Sequence, residues 1–156
     1  WKNDRNDNSG RVRCRDVLTK NLRNFGREQN YTDEQADAKM SRRFTSIKLA
    51  KPMETVLQNP FVLCAWPSFA DQPYINNYRV YDDRVGETTR FTYRSEHEWY
   101  WLPEQDPTEV SMLKCYDSVT DGSVSRWSFH TASIDYTAPA DAPCRKNLVV
   151  RSYVFF

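Results

Sequence analysis

The spacing of hydrophobic and polar residues changes near residue 42. Before that point, apolar side chains within Arg15–Phe25 recur on one face, which predicts a helix, and Gly26 is a plausible stop. Thr32, with Gln35 three positions later, fits a capping box, in which each residue's side chain bonds the other's backbone N–H. The pattern therefore predicts a second helix over Asp33–Arg42.

From Arg43 onward the pattern is that of short strands separated by Pro, Gly, Asp and Asn. In one of them Trp127 and Phe129 share one face, while Ser128 and His130 share the other. Strands without intervening helices predict a mainly β fold, a sandwich or double-sheet jelly roll. We interpret residues 1–156 as a single domain with a helical lead-in (1–42) and a β core (43–156). The predicted strands are Arg43–Leu49, Phe61–Trp66, Thr88–Arg94, Glu98–Leu102, Glu109–Tyr116, Ser123–Ile134 and Leu148–Phe156.

Composition narrows the classes of function. The 22 aromatic residues among 156 demand burial and argue against disorder. A net charge of +1 gives no general case for nucleic acid, and the absence of an 18-residue apolar run predicts no membrane-spanning helix. Four cysteines far apart exclude a zinc ribbon or a CxxC redox motif. We expect an intracellular, cytoplasmic protein with reduced thiols.

Histidine is scarce, since the chain has only His97 and His130, and this excludes enzymes that need several histidine ligands from this chain alone. His130 lies on the polar face of its strand, and Arg145 follows after a Pro-rich turn. If their strands are adjacent and antiparallel, an imidazole that can bind metal and a guanidinium that can grip a carboxylate share one cavity. The alternatives are a structural histidine and a surface arginine. No nucleophile elbow or phosphate-binding glycine loop is present.

Several motifs carry a resemblance to a known family. They are His97-Glu98-Trp99-Tyr100-Trp101, Glu109-Val110 through Lys114-Cys115-Tyr116-Asp117-Ser118, His130-Thr131-Ala132, and Ala142-Pro143-Cys144-Arg145 with the closing Val150–Phe155. In order and spacing, over about residues 56–156, the chain resembles the asaB hydroxylase/desaturase family. That family is also described as CmcJ-like and is associated with fungal secondary metabolism. Lys2-Asn3-Asp4 resembles the family's His-Asn-Asp stretch.

The resemblance implies a non-haem Fe(II), 2-oxoglutarate-type oxygenase on a double-stranded β-helix, with iron held by two imidazoles and one carboxylate. By this resemblance Asp4 and His130 are metal ligands, and Arg145 anchors the far carboxylate of 2-oxoglutarate. Asn147 replaces a serine of the arginine motif and can also donate a hydrogen bond there. His97 is expected to be structural or substrate-facing. The substrate would be a small secondary metabolite, with no nucleic-acid or membrane partner.

The chain departs from the family pattern at two places. Lys2 stands where the first imidazole ligand belongs, and a protonated ammonium cannot bind iron. The family's Asn-Val-Trp-Arg-Pro-Leu is replaced by Lys48-Leu49-Ala50-Lys51-Pro52-Met53. Family chains are also about twice as long, so we expect a core incomplete at its N-terminal side. Two hypotheses follow: an oxidoreductase of this class, or a degenerate or truncated homologue that binds a small acidic ligand or a partner without oxidising it.

Overall fold

The computed structural model describes residues 22–82 and 85–156 and is mainly β, as predicted. In the described part of the chain, helix α1 covers residues 22–28, helix α2 covers Asp33–Met40, and a short 3₁₀ helix covers Trp66–Ser68. None of the described helices is long and apolar enough to cross a membrane. The strands are β1 (Phe44–Pro52), β2 (Phe61–Cys64), β3 (Ile75–Val80), β4 (Val85–Arg90), β5 (Trp99–Trp101), β6 (Ser111–Asp117), β7 (His130–Ala132) and β8 (Asn147–Phe155).

The start of α2 and the end of α1 are both set by interactions between residues close in sequence. The capping box is confirmed, since the Gln35 backbone N–H donates to Thr32 Oγ1 at 3.2 Å and the Thr32 N–H donates to Gln35 Oε1 at 2.9 Å. The expected stop at Gly26 is wrong, because α1 continues to residue 28. Asn30 ends it instead: its φ of 60° is left-handed, and the Tyr31 N–H reaches back to the Gly26 carbonyl at 2.8 Å.

The first sheet has the order β6-β1-β8, and both of its pairings are antiparallel. The central strand β1 buries its first three residues, Phe44–Ser46, and then only residues of the Ser46 face, Ala50 and Pro52. The register between β1 and β6 shifts between Ser46 and Ile47, which marks a β-bulge. Lys48 lies on the inward side between Ser46 and Ala50.

The second sheet has the order β5-β2-β7, again with antiparallel pairings. Its central strand β2 alternates buried residues, Val62 and Cys64, with half-buried ones. The register places Leu63 opposite His130, so the imidazole belongs to this second sheet. Together the two three-stranded sheets form the β core that surrounds the candidate site.

Contacts divide the chain into two compact units. Of the described residues, the first contains 22–42 together with 72–82 and 85–92; the second contains Arg43–Asp71 and Tyr93–Phe156. The β3–β4 hairpin therefore belongs with the lead-in, although the pattern assigned residues 72–92 to the β core. Strand β3 was not predicted, because two asparagines, residues with low strand propensity, stand near its start. The single-domain interpretation stays a prediction.

The predicted strand Ser123–Ile134 is much shorter in the structure, where only His130–Ala132 is a strand. The segment before it crosses from one sheet to the other and makes isolated hydrogen bonds. Ser128 N–H donates to the Lys114 carbonyl at 2.7 Å in the first sheet, and the Phe129 carbonyl accepts from Cys64 N–H at 2.9 Å in the second. Trp127 and Phe129 alternate as a strand would, yet no continuous ladder forms.

A buried carboxylate anchors the first sheet. The Asp117 side chain is 0% exposed and accepts from Lys114 Nζ at 2.9 Å and from Arg43 Nη2 at 3.0 Å. The Val119 backbone N–H also donates to it at 3.1 Å. Burial alone would raise the pKa of Asp117, but these hydrogen bonds outweigh burial and lower it. The carboxylate is therefore ionised and paired at neutral pH.

Candidate functional site

The candidate site is centred on the His130 imidazole, which β7 carries at the edge of the second sheet. Its Nδ1 lies 2.7 Å from the Ser128 carbonyl oxygen. Because a carbonyl oxygen only accepts, Nδ1 carries the proton, and Nε2 of the neutral ring is left as an acceptor. Burial lowers the pKa of His130; the bond to Ser128 opposes this, and the neighbouring charge of Lys48 adds to the lowering. The neutral ring is thus favoured.

Lys48 occupies that acceptor. Its Nζ lies 2.8 Å from His130 Nε2, a contact that joins β1 of the first sheet to β7 of the second. Burial lowers the pKa of Lys48; the positive charges of Arg151 and Arg145 lower it further, and Cys115 works in the opposite direction. The donor in this contact must be the lysine, because Nε2 has no hydrogen.

The Phe61 ring is the common surface on which three of these side chains meet. The His130 ring stacks on it at 5.0 Å between centroids and an interplanar angle of 26°. Lys48 Nζ and Arg145 Cζ lie 5.3 Å and 5.0 Å from the same ring centroid. The face of a phenyl ring attracts cations, so Phe61 helps to hold both positive groups beside the imidazole.

Arg145 and Asn147, the two residues expected to hold the co-substrate, both have a buried polar atom without a hydrogen-bond partner among the described residues. These atoms are Arg145 Nη1 and Asn147 Oδ1. A buried guanidinium N–H without a partner is costly, so Arg145 fits an anionic ligand such as a carboxylate. In Asn147 the unpaired atom is an acceptor, and a carboxylate would need the amide in its other orientation.

The predicted pairing of the strands that carry His130 and Arg145 is wrong, although both side chains contact the Phe61 ring; a shared cavity stays a prediction. Their strands are not neighbours: β7 pairs with β2, and β8 pairs with β1. Arg145 lies two residues before β8, where Met53 N–H donates to the Lys146 carbonyl at 2.9 Å and extends the β1–β8 pairing. The guanidinium, from the first sheet, and the imidazole, from the second, therefore both contact the ring of Phe61 in β2.

His97 is enclosed at only 7% exposure. Its Nδ1 accepts from the Arg94 backbone N–H at 3.2 Å, and its ring meets those of Tyr93 and Trp99 edge-on at 6.0 Å and 6.3 Å. These contacts support a structural role, and a substrate-facing role stays a prediction.

The remaining predicted metal residues, Asp4 and Lys2, lie outside the described residues, so their convergence with His130 stays a prediction. Within residues 22–82 and 85–156, no group of three His, Cys, Asp or Glu side chains could hold a metal ion. The one predicted ligand that is described, His130, has its Nε2 engaged by Lys48. The described residues therefore fit a carboxylate ligand but do not by themselves fit iron.

Sequence reasoning did not assign a role to Lys48 or Phe61. Lys48 was noted only as a departure from the family motif, yet a lysine at an inward position between Ser46 and Ala50 is an unusual charge on a buried face. The position of Lys48 could therefore have indicated a functional role from the sequence. Phe61 could not have been recognised in this way, because one phenylalanine in a strand is ordinary core composition.

Two antiparallel sheets that bring an imidazole and a guanidinium to one phenyl ring, with one guanidinium nitrogen lacking a partner among the described residues, are compatible with binding of a small anionic ligand. The family described as Oxidoreductase/YMDC permease-like domain matches residues 19–155, and the chain belongs to this family.

Two of the curated relatives are fungal proteins named for oxidation chemistry. The chain is 25% identical over 142 residues to hydroxylase/desaturase asaB of Aspergillus flavus, covering 83% of this chain and 63% of that protein. It is 26% identical over 118 residues to the alpha-ketoglutarate-dependent dioxygenase tstK of Talaromyces stipitatus, covering 73% of this chain and 42% of that protein. The chain thus spans less than two thirds of the length of these relatives.

Solved structures agree with the predicted jelly-roll class. The iron and alpha-ketoglutarate-dependent endoperoxidase NvfI superimposes with a TM-score of 0.68 and 27% identity, over 78% of this chain and 46% of that one. A variant of the same enzyme gives a TM-score of 0.76 at 24% identity, over 90% of this chain and 49% of that one, which shows a shared fold.

Proposed function

We propose that the protein containing this chain is an oxidoreductase of the Fe(II)/2-oxoglutarate-dependent hydroxylase/desaturase class that acts on a small secondary metabolite. The observation that carries the proposal is Arg145, whose buried Nη1 lacks a partner among the described residues and whose guanidinium lies against the ring that stacks on His130. The names of the relatives, a hydroxylase/desaturase and an alpha-ketoglutarate-dependent dioxygenase, support the same chemistry.

In this proposal Arg145 holds the far carboxylate of 2-oxoglutarate through a charge-assisted, two-pronged hydrogen bond. Asn147 lies two residues further on at the start of β8 and donates to the same carboxylate once its amide is turned. The Phe61 ring excludes water from one side of the guanidinium, which strengthens its attraction for an anion. In enzymes of this class, the bound iron with 2-oxoglutarate supplies the oxidising power.

Calorimetric titration with 2-oxoglutarate tests this role. Arg145→Ala should weaken binding by about 1.5–3 kcal/mol, the usual contribution of hydrogen bonds to a charged group. Lys146→Ala is the matched control, because Lys146 is the adjacent cation, is exposed, and pairs with Glu54 at 2.8 Å. Equal affinity of the Arg145→Ala variant and the unsubstituted protein would remove Arg145 from the site.

The proposed class and the strength of iron binding by this chain are separate questions, because Lys2 opposes iron binding. Anaerobic titration with Fe(II) should show little stoichiometric binding, since an ammonium stands where the first imidazole is expected. Lys2→His should raise the affinity for iron and allow succinate to form from 2-oxoglutarate in the presence of dioxygen. No gain from this substitution would contradict the assignment of Lys2 and Asp4 to the metal site.

An intracellular location is also part of the proposal. Cys64, Cys115 and Cys144 are free thiols in the structure, which suits a reducing compartment. Alkylation in freshly prepared cell extract, with the protein denatured so that buried Cys64 is accessible, should label these cysteines without prior reduction.

A further inference from the structure

Positive charge is in surplus around the Phe61 ring. Lys48 lies opposite Arg151 in the β1–β8 register, and Arg145 lies against the same ring as Lys48. In the part of the chain that the structure describes, no carboxylate forms an ion pair with any of these three side chains. Like charges held together without a counter-ion repel each other, and an anion bound among them would relieve that repulsion.

The Lys48–His130 contact distinguishes an anion site that contains a metal ion from one that does not. Nδ1 of His130 donates to Ser128, so Nε2 is the only ring atom that could bind a metal ion, and Lys48 Nζ already lies 2.8 Å from it. A metal ion and the lysine cannot share one lone pair. The Lys48 ammonium thus places a positive charge beside Nε2, at the position that a bound metal ion would occupy.

We propose that Lys48 and Arg145 form a binding site for a dicarboxylate that needs no metal ion, with Lys48 standing toward His130 where a metal would stand. Arg145 binds one carboxylate through its unpaired Nη1, and Lys48 binds the other while His130 keeps its ammonium in place. This inference rests on the part of the proposed function that places 2-oxoglutarate at Arg145, and it adds a second cation and the independence from metal.

The first measurement compares ligands with and without a 2-oxo group, because this group distinguishes a metal site from a metal-free site. A metal site prefers 2-oxoglutarate over glutarate, since the 2-oxo group and its neighbouring carboxylate chelate the ion. Two side-chain cations, in contrast, interact only with the two carboxylates and not with the 2-oxo group. Calorimetry in excess EDTA should therefore show binding of both 2-oxoglutarate and glutarate with comparable affinity, and weaker binding of the monocarboxylate butyrate.

Lys48→Met provides the second measurement, because methionine keeps an unbranched apolar stem over Phe61 and removes the charge. In EDTA this variant should bind 2-oxoglutarate about tenfold to hundredfold more weakly, as expected when one charged hydrogen bond is lost. Lys51→Met is the matched control, since Lys51 loses the same charge from an exposed position on the same strand. Lys48→Arg, which keeps the charge, should retain most of the affinity, and thermal melting verifies that each variant is folded.

The outcomes separate the two proposals. Binding of 2-oxoglutarate only when Fe(II) is added under anaerobic conditions would overturn the metal-free site and leave the proposed function standing. Equal affinities of Lys48→Met and the unsubstituted protein in EDTA would likewise overturn the role of Lys48. Absence of binding both with and without metal would overturn the proposed function, and the inference with it.

Discussion

Replacing Asp117 by asparagine removes a buried charge at the end of β6, an edge strand of the first sheet. The carboxylate is 0% exposed, whereas its partners Arg43 and Lys114 are 40% and 25% exposed. The introduced amide could still accept from Val119 N–H, but its NH₂ group would face two cationic donors. Because both cations can regain water, we expect a net loss of about 2–3 kcal/mol in the free energy of unfolding, less than for a fully buried pair.

Chemical denaturation at neutral pH measures this loss directly, and thermal melting should show a midpoint lowered by about 5–10 °C. The effect should depend on pH with a definite sign. The pKa of Asp117 is lowered in the folded protein, so its contribution is present at neutral pH and is lost as the pH falls below about 4. The difference between the two proteins should therefore shrink in acid.

Asp121→Asn is the matched control. Asp121 is exposed and accepts from Ser123 N–H at 2.9 Å, a bond that asparagine can also accept. This variant should melt close to the unsubstituted protein. A difference for Asp117→Asn that is no larger than the control, or that stays constant between pH 7 and pH 3, would contradict the stabilising role of the buried, paired carboxylate.

Three further predictions concern other parts of the chain. Phe61→Leu removes the ring beneath Lys48, His130 and Arg145 and should lower stability by about 1 kcal/mol, measured by denaturation, while also weakening 2-oxoglutarate binding; unchanged values for both would contradict the shared surface. Thr32→Ala breaks the capping box of α2 and should cost about 1 kcal/mol, whereas Thr32→Ser should cost little. Nitrogen-15 NMR should find the His130 proton on Nδ1, and a proton on Nε2 would be inconsistent with the Lys48 contact.

Some features could be predicted because neighbouring residues decide them. The box of Thr32 and Gln35 acts over three positions, and the strand at Phe44–Pro52 was predicted from local alternation with its start misplaced by only one residue. The Asp121-Gly122 turn is likewise local: Gly122 has a φ of 82°, a conformation that glycine adopts without strain. Resemblance to the family added His130 and Arg145, which do meet at one ring.

Other features could not be predicted because they depend on distant pairing. Local patterns do not say which strand a three-residue segment joins, and β7 joins β2 instead of the strand after Arg145. The segment before β7 was taken for a strand because Trp127 and Phe129 alternate, yet its hydrogen bonds are shared between two sheets. The position of Lys48 beside His130, 82 residues away, depends on the approach of two separate sheets.

The class of fold, the capped helix, the run of short strands and the residue types available for chemistry can all be read from the chain, because propensity, alternation and capping act within a few residues. What those residues do depends on long-range packing. Packing brings a lysine to the acceptor atom of the imidazole and leaves a guanidinium N–H without a described partner. Such contacts arise only when two sheets are held face to face, since burial then decides which polar atoms must find a partner.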